Sequence, residues 1–211
     1  MKIKILAIAL CALFATTQIN AQSNLSYGIK AEASLSKFIF NSENVTSGFG
    51  PGIGIGGFIK IDLGEYFAIQ PELLFQWQNF SETTSLYYGG VLIGETKRNY
   101  ELWGMEVPVY AVGQIDFETG DRIYAGIGPY FGLGFSAKID DGTNISEQQY
   151  GDFLNRADIG IAAMAGYEFE VGFLVNVGFK YGLLNKCNKL DYSNINSIKG
   201  MSLSIGLGYI F

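Results

Sequence analysis

Apolar side chains recur at every second position along most of this chain, and the residues between them are small. The last stretch shows it best. From Lys199 onward, Met201, Leu203, Ile205, Leu207, Tyr209 and Phe211 form one row, and Ser202, Ser204, Gly206 and Gly208 form the other. A period of two reads as a β-strand whose faces meet different surroundings. Seven further segments repeat it: Ser26–Lys37, Gly50–Ile61, Tyr66–Phe80, Arg98–Gln114, Arg122–Lys138, Asn155–Phe169 and Phe173–Leu184. In Gly50–Ile61, for example, Ile53, Ile55, Ile59 and Ile61 oppose Gly52, Gly54, Gly56, Phe58 and Lys60.

The connections alternate in length. Asp62–Glu65, Asp116–Asp121 and Glu170–Gly172 are short turns, whereas Ile39–Phe49, Ser81–Thr96, Ile139–Phe153 and Asn185–Ile198 are long and polar. This predicts an all-β fold, an eight-stranded antiparallel up-and-down transmembrane β-barrel with short periplasmic turns and long extracellular loops. The strands are long enough for a tilted span, which needs about 9–11 residues. A soluble eight-stranded barrel would put charges outside and apolar side chains inside. Here the face opposite the apolar row is dominated by Gly and Ser, too poor in charge to solubilise an exterior. The aromatics agree. Tyr27, Phe67, Phe117, Phe169, Phe173, Tyr209 and Phe211 are expected in a belt at the short-turn end, and Phe38, Trp77, Phe80, Trp103, Phe135 and Tyr181 in a belt at the other.

The front of the chain is of another kind. A basic Met1–Lys4, an apolar Ile5–Thr17 and a polar stretch ending at Ala21 have the layout of a secretory signal peptide, cleaved after Ala21. Residues 1–21 are therefore expected to be the signal and residues 22–211 the barrel domain. Losing Lys2 and Lys4 from the 14 basic residues leaves 12 against 20 acidic, a net charge of −8. Such a balance argues against nucleic acid as a partner. Cys187 is then the sole cysteine, so no internal disulfide can form.

Chemistry is thin. There is no histidine, which removes Ser–His hydrolysis and most zinc sites, and no enzyme is expected. Asp140–Asn144 is like a calcium loop only in composition, and the glycine runs precede no helix, so no metal or cofactor is expected either. What remains is the inward row of polar residues: Lys30, Glu32, Lys60, Glu72, Arg98, Glu106, Asp158 and Lys180, with Arg122, Lys138 and Glu168. An eight-stranded interior is about wide enough for side chains to fill it. Charges there should pair, because an unpaired buried charge is costly. A structural network is the expected role, with a narrow polar path for small solutes as the alternative.

Four stretches resemble the PorT-like, or "porin family", outer-membrane β-barrel proteins of Bacteroidetes: Ile69–Phe75 (IQPELLF), Trp103–Val109 (WGMEVPV), Tyr124–Tyr130 (YAGIGPY), and Asp158–Phe169 with Lys180–Leu183. With the terminal Leu207–Phe211 they cover the mature chain. The resemblance implies residence in the outer membrane of a Gram-negative cell, among its lipids. It also implies that barrel-assembly machinery reads Ile205, Leu207, Tyr209 and Phe211 as a membrane-assembly signal. It names no single function. The expectation is a structural or surface-interaction protein with a filled interior; the alternatives are a narrow porin-like path and a secreted soluble barrel binding an apolar ligand.

Overall fold

A computed structural model describes residues 25–40, 45–88, 91–140, 145–148, 155–186 and 198–211. The signal segment, Cys187 and most of Asp140–Asn144 lie outside them. Ten strands follow in order: β1 Leu25–Phe40, β2 Val45–Gly48, β3 Gly50–Asp62, β4 Phe67–Tyr88, β5 Val91–Asp116, β6 Arg122–Asp140, β7 Ile145–Gln148, β8 Ala157–Glu168, β9 Phe173–Gly182 and β10 Ile198–Ile210. Eight of them form a closed antiparallel ring, β1-β3-β4-β5-β6-β8-β9-β10 and back to β1, while β2 adds to β4 and β7 to β6. Closure satisfies the backbone groups that an open sheet would leave bare in lipid.

The seam runs from Gly28↔Ile210 to Phe40↔Ile198. It is finished at the bottom by Phe211 N–H donating to the Tyr27 carbonyl, 2.9 Å. Glycines with positive φ occur among the described residues at Gly64, Gly120 and Gly172, one in each short turn. Each reverses the chain within a few residues, a backbone state that other residues adopt only at a cost.

Two neighbouring turns are tied by Asp121, whose carboxylate accepts from the Glu170 N–H at 3.0 Å and the Thr119 hydroxyl at 2.8 Å. The Glu170 N–H, then the Thr119 and Tyr167 hydroxyls, hold its carboxyl below the usual carboxylate range. A depressed folded-state value stabilises above the ordinary carboxylate pKa, and that contribution disappears as the pH falls through the folded value. The stability gap between wild type and Asp121→Asn is therefore predicted to close between neutral and strongly acidic pH. Denaturant midpoints in detergent would show it; a gap independent of pH would contradict the tie.

Three departures from the sequence reading have physical causes. Ser81–Thr96 is no loop: Ser81–Tyr88 pairs with Val91–Asn99, carrying the β4–β5 hairpin past the ring. Ile39–Phe49 and Ile139–Phe153 likewise contribute strand, as the end of β1, β2, the end of β6 and β7. Lys138 is not inward. Opposite Trp103–Gly104, β6 carries one extra residue, so Trp103 faces Ser136 while Gly104 faces Gly134. The bulge inverts the alternation, turning Ala137 into the interior and placing Lys138, only partly buried, opposite Glu101.

Candidate functional site

Outside, the ring is apolar where a soluble protein would be polar. Ile55 is 64% exposed and Ile205 62%, and the same holds for the outward rows of the other strands. So large an apolar surface on one molecule marks contact with lipid. Around the short-turn end, Tyr27, Phe211, Tyr209 and Phe173 form a chain of rings 5.3–5.7 Å apart, continuing the exposed Phe67, Phe117 and Phe169. At the opposite level Trp77 and Trp103 both donate their indole N–H to one Glu101 oxygen, at 3.2 and 2.9 Å. A tryptophan with an apolar body and a satisfied polar edge suits the membrane boundary.

Inside, the charges form a ladder. Glu72 accepts from Lys30 at 2.8 Å, Lys30 lies 3.7 Å from Glu32, Glu32 accepts from Lys180 at 3.0 Å, and Lys180 reaches Glu106 at 2.6 Å. Gln70 and Gln76 donate to Glu72 and Glu32 at 2.9 and 2.6 Å. Strand parity explains the convergence: Lys30 and Glu32 on β1, Glu72 on β4, Glu106 on β5 and Lys180 on β9 all stand on inward positions of the same ring. The signs alternate along the ladder, so each buried charge meets an opposite one.

A second group lies nearer the short turns, where Glu168 takes Lys60 at 3.0 Å and Arg122 at 3.9 Å, and Arg122 also grips Asp116. Toward the long-loop end Asp158 is held by Lys186 at 2.8 Å and the Tyr130 hydroxyl at 3.0 Å. Glu72 and Glu106 are tied to different lysines.

Arg98 does not join them. It is exposed, lying beyond Asn99↔Asp140, the last pair of β5 and β6 among the described residues. Two aromatics read as belt residues are inside instead. Phe38 and Phe80 stack at 4.2 Å between centroids, with Tyr100 edge-on to Phe38 at 6.1 Å, and together they roof the lumen. Parity carried the signal, since Phe38 follows the inward Ser34 and Ser36, and Phe80 the inward Gln76 and Gln78.

The far wall is another feature that composition hides. Tyr110, Tyr124, Tyr130, Val112 and Met164 pack there as one cluster with Ala68 and Ala162. Their rings lie over glycines of neighbouring strands: a Cβ at Gly166 would come within 2.5 Å of the Tyr124 ring carbon Cζ, and one at Gly160 would overlap the Tyr130 ring. Toward the long-loop end, around Asp158 and Lys186, are cavities of about 50 and about 20 Å³ that also share Gln78 and Glu106, room for a few waters.

Residues 18–187 match the family described as outer membrane protein beta-barrel domain. The chain belongs to that family. It resides in the cell outer membrane, and its apolar exterior and charged interior fit a lipid surround. Among solved structures, it is similar to OprG of Pseudomonas aeruginosa, with 13% identity over 92% of this chain and 99% of that one and a TM-score of 0.48. It is also similar to Neisserial surface protein A, with 14% identity over 88% and 97% and a TM-score of 0.43. A third is Ail, the attachment invasion locus protein of Yersinia pestis, at 10% identity over 88% and 98% and a TM-score of 0.42. No curated protein matches the chain.

Proposed function

We propose that this barrel is a non-catalytic membrane anchor that carries a β-ribbon on the cell surface, with a lumen filled for stability and not for transport. The observation that supports it best is a mismatch of lengths. A tilted span needs about 9–11 residues, yet β4 has 22 and β5 has 26. Past Asn99, the only partner of β5 among the described residues is β4, so among them its other edge from Val91 to Arg98 is unpaired, with Ile93 66% exposed. On the far side, β2 covers β4 through Val45↔Thr84 to Gly48↔Ser81. An edge strand is a template for pairing with an extended segment of another protein, which suits a surface-interaction role.

The ladder and the Phe38–Phe80 roof stand across the route a solute would take. Planar-bilayer recordings are predicted to show no steady single-channel steps. Ion-selective steps that vanish on replacing Glu72 or Glu106 would instead establish the narrow solute path.

Three further readings belong to the same proposal. Residues 1–21 are a cleaved signal peptide. The exposed aromatic strand ending Ile205, Leu207, Tyr209 and Phe211 is what barrel-assembly machinery engages. Within the family, the chain groups with the PorT-like proteins of Bacteroidetes, on the strength of the IQPELLF and WGMEVPV stretches.

A further inference from the structure

The upper boundary of the lipid face carries a pair of lysines that the lumen and the ribbon do not use. Lys37 on β1 and Lys199 on β10 point outward and are diagonal neighbours, since Lys37 pairs with Met201 and Lys199 with Ile39. At that spacing long side chains reach one another. Among the described residues neither is ion-paired; the Lys37 ammonium lies 4.8 Å from the Phe49 ring and the Lys199 ammonium 5.7 Å from the Tyr181 ring.

Their height follows from the count of residues. Lys37 is ten positions above Tyr27 on β1, and Lys199 ten above Tyr209 on β10, both references lying in the lower aromatic belt. Ten residues at about 3.3 Å each, tilted about 40°, rise roughly 25 Å, the height of the apolar band of such barrels. The two ammoniums therefore stand at the level of the outer headgroups, above the outward row of Leu35, Met201 and Leu203. Two like charges held side by side repel one another unless an anion lies between them. In a chain of net charge −6, the lack of an ion pair at either lysine among the described residues is the more telling.

We propose that Lys37 and Lys199 bracket the phosphate of an outer-leaflet lipid headgroup. The ammoniums supply the charge, the Phe49 and Tyr181 rings sit at the interface beside them, and the acyl chains follow the apolar rows beneath.

Native mass spectrometry of the detergent-purified chain tests this, with phosphatidic acid as the probe and diacylglycerol as the phosphate-free comparison. Wild type is expected to retain phosphatidic acid and not diacylglycerol. Lys37→Gln with Lys199→Gln should weaken that retention roughly tenfold or more, while the ribbon variant Lys97→Gln with Arg98→Gln leaves it unchanged. Unaltered heat-modifiable migration shows that each variant is folded. Equal retention by the Lys37/Lys199 variant would overturn the proposal, and so would an equal loss in the ribbon variant. Displacement of the lipid by millimolar inorganic phosphate would overturn it too, by making the pair a site for free phosphate.

Discussion

Replacing Gly160 with valine is expected to cost about 3 kcal/mol or more, the upper part of the range for overpacking, and to remove most of the heat-modifiable folded species. A Cβ at this position would overlap both the Tyr181 carbonyl oxygen across the β8–β9 pair and the Tyr130 ring lying over it. A second change, Tyr130→Ala, would clear the ring but not the carbonyl. Gly128 is in the same position toward the Val109 carbonyl, so Gly128→Val should behave alike. Gly94 is the control, having nothing within 4 Å of its would-be Cβ. Gly94→Ala should stay within about 0.5 kcal/mol of wild type, as surface changes usually do. Wild-type levels of folded Gly160→Val would show that the glycines are not there to seat the tyrosines.

Glu32→Ala is the other large effect. Its carboxylate is shared by Lys180, Lys30 and Gln76, and it is the middle member of the ladder. Removing it leaves two buried lysines each with one carboxylate where they had two. Each lysine keeps one carboxylate, so the cost stays below the ~3–5 kcal/mol of a fully broken buried pair. It comes from two like charges left facing each other and from Gln76 losing its acceptor. Unfolding midpoints in detergent should therefore fall for Glu32→Ala. The loss should be largely recovered in Glu32→Met with Lys180→Met and Glu106→Met, where Lys30 keeps Glu72 and no charge is stranded. A Glu32→Ala change of under about 1 kcal/mol would mean that water reaches and screens the ladder.

Much of this was legible in the sequence because strand parity is a strict rule. Lys30, Glu32, Lys60, Glu72, Asp158 and Lys180 stand on inward positions and are buried in the ring. Parity fails where the ladder geometry is broken: the extra residue at Phe135–Ser136 inverts it, and no composition signal announces a bulge. It also loses meaning past the last pair of β5 and β6 among the described residues, where Arg98 is exposed despite an inward register. The length of the ribbon was hidden by its polarity, since Ser81–Thr96 reads as loop. Gly89-Gly90 between Tyr88 and Val91 is the hairpin signal that would have shown it. Phe38 and Phe80 show that an aromatic near a strand end belongs to a belt only if its parity is outward. Which charges meet which was not legible at all, because the pairs join strands far apart in sequence.

Impermeant thiol labelling on intact cells tests the whole arrangement most directly. In a Cys187→Ser background, three single cysteines would be placed at Ile93, Glu118 and Ile55. Ile93→Cys, on the outer ribbon, should react on intact cells. Glu118→Cys, in a periplasmic turn, should react only after the outer membrane is permeabilised. Ile55→Cys should resist in both cases, although the side chain it replaces is 64% exposed on the protein itself, because lipid and not water covers that face. Ready labelling of Ile55→Cys in membranes, or of Glu118→Cys on intact cells, would contradict a barrel that spans the outer membrane with its ribbon outward.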